Sequence, residues 1–188
     1  MTNVADGISR NGLRGPDMVY GFLETDTYIL CVVLHTASPP SEREWDDYMA
    51  TIRTYDSVVP RVRTVVFTDG GGPNSSQRKK LNEFLGGRVT PVFLVSSSSV
   101  VRGITTALSW FNPQTKTASP DDVEGVFRHL GIPEGDREQL WTLVAQLNEK
   151  LGAELSSVRF PEKFAYLRNV PTESEREPPA GTRRAGRG

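Results

Sequence analysis

At 188 residues the chain is long enough for one well-buried core and short for two. Its 37% hydrophobic and 24% charged composition is that of a globular domain, and a formal net charge of -1 supplies no overall field favouring nucleic acid or an anionic membrane. A single cysteine, Cys31, excludes an internal disulfide, and charged residues or glycine interrupt every apolar run well before the roughly 18 residues that span a bilayer. No nucleic-acid partner and no integral membrane segment are expected. With no charged leader and apolar stretch over Met1 to Asp17, a reducing cytoplasm is the expected compartment.

Residues 1–17, with Gly7, Gly12, Gly15 and Pro16 among polar residues, read as a flexible arm. Val19 to Leu23 and Tyr28 to Leu34 are two β-branched and aromatic runs joined by Glu24-Thr25-Asp26-Thr27, a link of hairpin length, and pair as an antiparallel hairpin. The second run is apolar on both faces, which places it inside the sheet and Cys31 in the core. Ser41 and Glu44 are spaced as a capping box, and Trp45, Tyr48, Met49, Ile52 and Tyr55 repeat at three and four, so a helix follows with one buried stripe.

Val62 to Phe67 is the third strand, and it empties into Thr68-Asp69-Gly70-Gly71-Gly72-Pro73-Asn74-Ser75-Ser76. A short helix is predicted over Gln77 to Leu85, stopped by Gly86-Gly87, then a strand over Pro91 to Val95. Val100, Val101, Ile104, Ala107, Leu108 and Phe111 mark a third helix, and Thr115 to Ala118 a fifth strand. Ser119-Pro120-Asp121-Asp122 supplies a cap and acids before a helix carrying Val123, Val126, Phe127 and Leu130. Asp136 with Gln139 opens a last helix with Leu140, Leu143, Val144, Leu147 and Leu151 on one side.

Beyond Gly152, Phe160, Phe164, Tyr166 and Leu167 suit one short docked segment, and Glu173 onward is charged, rich in Pro and Gly, and without period. The organisation is thus an arm over 1–17, one domain over 18–152 with an appended C-terminal helix, and an extension over 153–188, partly docked and then disordered. Helical crossovers demand a mostly parallel sheet of about five strands, with the opening strand antiparallel and four to five flanking helices.

That order, with Val65-Val66-Phe67-Thr68-Asp69 running into a serine-bearing loop before a helix, resembles the STAS domains of sulphate transporters and anti-sigma factor antagonists. The stretches Ser75-Ser76-Gln77-Arg78-Lys79-Lys80-Leu81 and Val95 through Trp110 are similar to bacterial STAS-like proteins, a branch related to lipid-binding SEC14 domains. The resemblance spans Met18 to Leu130. It implies a signalling or regulatory protein whose partner is a kinase, an anti-sigma-like protein or another regulator. It also implies a phosphoacceptor serine at the start of the helix after the third strand, here Ser75 or Ser76. The glycine-rich insert Gly70 to Asn74 departs from the short Asp-Ser step usual in that family.

Two readings of the loop stand side by side. At a strand's carboxyl end before a helix N-terminus, backbone N–H groups favour an anion, and Asp69, Gly70, Gly71, Asn74, Arg78, Lys79 and Arg102 then form a partner- or anion-binding surface. In the plainer reading Asn74 or Ser75 caps the helix, the glycines turn the chain, and Arg78, Lys79, Lys80 and Arg88 are a solvated face. Neither a P-loop nor a dinucleotide fingerprint is present. Ile104, Leu108, Trp110 and Phe111 are candidates for an apolar ligand pocket or a dimer contact.

His35, His129 and Cys31 fall in separate elements, and no nucleophile elbow, zinc-protease or paired C-x-x-C pattern occurs, so no catalytic residue, metal or cofactor is expected. The expectation is a non-enzymatic cytoplasmic regulator or adaptor that binds a protein through the loop and helix after the third strand. The alternatives are a binding protein for an apolar, lipid-like molecule and an enzyme using the glycine-rich anion site.

Overall fold

Residues 2–3, 15–98 and 112–169 are described by the computed structural model, and among them six strands form one sheet in sequence order. They are β1 (Thr2–Asn3), β2 (Met18–Glu24), β3 (Ile29–His35), β4 (Val62–Thr68), β5 (Val92–Val95) and β6 (Thr115–Ala118). The hairpin β2–β3 pairs antiparallel from Met18 opposite His35 to Glu24 opposite Ile29, closed by Thr25 N donating to Tyr28 O and by Thr25 Oγ1, which accepts from Tyr28 N, each at 3.0 Å. The pairs β3–β4, β4–β5 and β5–β6 are parallel. Within the segment expected to be an arm, β1 adds a second antiparallel partner at the edge, with Thr2 opposite Leu23 and Asn3 opposite Phe22.

Among the described residues the crossover helices are α1 (Glu42–Arg53) and α2 (Ser75–Leu85). Strands that advance in one direction with right-handed connections must carry their crossovers on one face. Both helices accordingly pack on the side of Ile29, Cys31 and Val33, where Trp45, Tyr48, Met49 and Ile52 fill the core and Leu81 and Phe84 lean against it. Leu30, Leu34 and Val32 point to the opposite face, covered by α3 (Val123–Leu130) and α4 (Arg137–Leu151). All seven residues of β3 are buried, as its two-sided apolar run requires. The Cys31 thiol lies in this layer, pushed up to about 12 by burial, and is inert.

The last helix is less an appendage than the lid of the second face. A Cβ on Gly21 would stand 2.9 Å from Leu143 Cδ1, so the bare backbone of β2 is what lets α4 lie so close. Trp141, outside the predicted stripe, is also buried, its ring 6.0 Å from Phe67 and 5.1 Å from Phe160. The helix needs this wider apolar face because it is sandwiched between the sheet and residues 155–167, of which Leu155, Phe164 and Leu167 are buried.

Two expected caps are corrected. The α3 cap is Asp122, accepting from Gly125 N at 2.9 Å, while Ser119 closes the preceding turn through its carbonyl. Asp136 stands at the head of α4 without capping it, because its carboxylate takes the Tyr28 hydroxyl at 2.6 Å. The helix expected around residues 100–111 lies outside the described residues.

His35 ends β3 on the α1 side, 3% exposed, with Nδ1 lacking a partner among the described residues. Burial lowers its pKa from 6.5 to about 4, against the opposing pull of the Glu44 carboxylate. Between those values the unfolded chain binds the extra proton, so His35 favours folding fully above pH 6.5 and loses that contribution as pH falls toward 4. The slope of one such proton is about 1.4 kcal/mol per pH unit, and urea titrations from pH 7 to 4.5 should show it in the wild type. His35→Gln should flatten the curve by that amount, and equal slopes in both proteins would contradict the assignment.

Candidate functional site

The loop leaving β4 is shaped by close backbone contacts. Asp69 N donates to His35 O at 3.3 Å, extending the ladder by one residue. Thr68 Oγ1 then donates to Gly71 O at 2.6 Å and accepts from Gly70 N at 3.0 Å, folding the chain back on itself. Gly70 has φ +131°, a region that disfavours side chains. Gly71 N donates to Thr36 O at 2.9 Å, and a Cβ there would fall 2.0 Å from Ser38 O and 2.5 Å from Thr36 O. Gly70 is therefore demanded by its backbone angle and Gly71 by the packing of two loops.

Asn74 is the cap of α2, and the helix starts two residues earlier than predicted. Its Oδ1 accepts from Gln77 N at 3.0 Å, and Gln77 Oε1 accepts from Asn74 N at 2.9 Å. Gln77 is fully buried, an inward position the apolar pattern did not mark, and its Nε2 donates to Pro40 O and to Glu42 Oε1 at 3.0 and 3.1 Å. Glu42 also accepts from Asn74 Nδ2 and Lys80 Nζ, and these bonds, Asn74's foremost, hold its carboxyl below the usual carboxylate range. The positive end of α2 thus faces a carboxylate of the protein itself. The N–H groups of Gly70, Gly71, Asn74 and Gln77 already have protein acceptors, which removes four donors from the anion-site reading.

What remains exposed is a short polar face. Asn74, Ser75, Ser76, Arg78 and Lys79 all lie at the surface. Ser75 Oγ accepts from Arg78 Nη2 at 3.1 Å, with the same guanidinium donating to Pro73 O at 2.6 Å. Ser76 Oγ instead donates to the capping oxygen of Asn74 at 3.0 Å. The basic cluster divides: Lys80 bridges to Asp46 at 2.8 Å, and Arg88 caps the far end of α2 through Phe84 O and Leu85 O while pairing with Asp56.

Asp69 is turned away from that face. Its Oδ2 accepts from Ser156 N at 2.7 Å, and its Oδ1 from Ser157 N at 2.9 Å and Ser156 Oγ at 3.1 Å. Ser97 Oγ lies 2.6 Å from Ser156 Oγ, so the C-terminal extension is clasped to the ends of β4 and β5. The sequence carried no sign of this beyond a polar Ser156-Ser157 pair between Leu155 and Val158, since the partners are 87 and 88 residues apart. Arg102, Ile104, Leu108, Trp110 and Phe111 lie outside the described residues. On the opposite face a cavity of about 10 Å³ between Phe67, Val95, Phe127 and Trp141 approaches the smallest volume that holds one water. His129 packs on Phe93 with Nε2 2.9 Å from Gln114 O, remote from Cys31 in the other core layer. Among the described residues no group of three or more His, Cys, Asp or Glu is placed to hold a metal ion.

No family model and no curated protein matches this sequence. Among solved structures, an uncharacterised protein of the DUF3478 family with a SpoIIAA-like fold, from Shewanella loihica PV-4, is similar at 14% identity and a TM-score of 0.44. The match covers 60% of this chain and 91% of that one. Among the described residues no helix is long and apolar enough to cross a membrane.

The loop geometry yields a matched pair of variants. Gly71→Ala should cost about 2–3 kcal/mol or more, because backbone oxygens rather than flexible side-chain ends meet the new methyl group. Gly72→Ala, with nothing within 4 Å of its Cβ, should stay within roughly 0.5 kcal/mol of the wild type. Thermal or urea unfolding of both checks this, and similar losses would show that the close loop contact is not what selects glycine at 71.

Proposed function

We propose that this protein is a non-enzymatic regulator or adaptor that binds a protein partner through the outer face of the 70–76 loop and α2, with Ser75 as the residue whose phosphorylation controls that binding. The observation that carries the reading is the position of Ser75: exposed in the first turn of an eleven-residue helix, its Oγ 3.1 Å from the Arg78 guanidinium. A phosphate there brings about -1.5 to -2 charges to a helix N-terminus beside an arginine, where the fold tolerates it. Ser76 is the poorer acceptor, because its hydroxyl proton supports the Asn74 cap. The resemblance to STAS proteins points to the same first turn.

Asp69 drops out of the contact surface in this reading, since its carboxylate is occupied by Ser156 and Ser157. Asn74, Arg78 and Lys79 remain, and Arg78 and Lys79 suit an acidic partner surface. A phosphate on Ser75 would draw Arg78 to itself and repel such a partner, so modification releases it.

A pull-down with the wild type against a Ser75→Asp, Ser76→Asp variant tests this directly. The partner recovered by the wild type should bind the variant at least ~10-fold more weakly, the equivalent of about 1.4 kcal/mol. The same partner held equally by both proteins would remove the switch.

A further inference from the structure

The extension beyond α4 is held by an unusual combination of contacts. Phe160, Phe164 and Leu167 stand at i, i+4 and i+7, the last two one turn apart in a 3-10 helix over Glu162–Asn169. Phe160 lies on Trp141 at 5.1 Å between ring centroids, while Phe164 and Leu167 are buried in the core layer shared with α4. The receiving surface is rimmed by carboxylates, and the segment supplies the cations. Arg159 pairs with Asp121 at 2.6 Å, Lys163 with Glu134 at 3.6 Å, and Tyr166 donates its hydroxyl to Glu138.

Most of these pins are weak. Both ion pairs are at least half exposed on each side, where such pairs contribute little. One polar group is worse placed docked than it would be in water: Ser157 Oγ is buried with no partner among the described residues. The strong contact is the Asp69 carboxylate, which receives two backbone N–H groups and one hydroxyl from Ser156 and Ser157. One charge-assisted latch of three donors thus holds a segment whose ion pairs are exposed.

We propose that residues 155–169 are a detachable strap, latched by Asp69, and that the acid-rimmed apolar groove beneath it is a docking site for a basic amphipathic segment of a partner protein. In the free protein the strap occupies that groove. The partner segment would carry apolar residues at i, i+4 and i+7 and lysine or arginine beside them, the pattern the strap itself displays. This surface is separate from the Ser75 face and does not depend on it.

The test uses the full chain. Amide hydrogen exchange of the wild type should show residues 155–167 opening in a separate event, faster than β3 and the centre of α4. Asp69→Asn should speed exchange of 155–167 by about tenfold or more, the loss of a charge-assisted contact, while β3 and α4 keep wild-type rates. Should Asp69→Asn fail to fold, Ser156→Ala, which removes the hydroxyl donated to Asp69 Oδ1, provides the same readout with a smaller gain. In parallel, a labelled peptide of residues 158–169, which lacks the Asp69 partners Ser156 and Ser157, should bind the latch variant more tightly than the wild type by anisotropy. The same peptide carrying Phe160→Ala, Phe164→Ala and Leu167→Ala should not bind. The proposal is overturned if 155–167 exchange together with β3 in one cooperative step, or if the peptide binds the latch variant no better than the wild type.

Discussion

Strand β3 sets the terms for the rest of the molecule. Ile-Leu-Cys-Val-Val-Leu-His is buried at every position, so each face of the sheet must be covered, and each by an apolar layer of its own. Right-handed crossovers between strands laid down in sequence order deliver α1 and α2 to one face only. Among the described residues, α3, α4 and the 155–167 segment, all of which follow β6, cover the second face. Gly21 records the constraint from the sheet side, since any side chain there would meet Leu143.

The fold was legible in the sequence wherever local patterns coincide with the final environment. The hairpin, the α1 capping box, the parallel order and the glycine stop of α2 all follow from spacing and turn chemistry. What escaped depends on distant partners. Asp136 has the residue type of a cap, yet Tyr28, 108 residues away, takes its carboxylate. Trp141 breaks the heptad-like stripe because the helix is covered twice, by the sheet and by the chain that follows it. Gln77 is polar and fully buried because Pro40 O, Glu42 and the Asn74 backbone together satisfy its amide, and no period reveals that.

The same division runs through the candidate site. Residue type and position along the chain marked the glycine-rich loop, Asn74 as a cap, and Ser75 and Ser76 at the first turn. They did not separate the outward side chains from the inward ones. Asp69 faces the C-terminal extension, Arg88 serves the far end of α2, and Lys80 is tied to α1, which leaves Asn74, Ser75, Ser76, Arg78 and Lys79 on the exposed face. Gly71, read as part of a cradle for an anion, packs as a backbone spacer against Thr36 and Ser38. A glycine that must approach a phosphate and one that must approach a carbonyl look alike in a sequence.

If the second face is the constraint described, a chain ending at Ile132 should not fold, although it retains every described strand, both crossover helices and α3. Calorimetry of residues 1–132 is the most direct measurement. No cooperative heat-absorption peak is expected, because Leu30, Leu34 and Val32 lose the α4 layer that covers them. A cooperative transition near the full-length Tm would contradict it and return α4 to the status of an appendage.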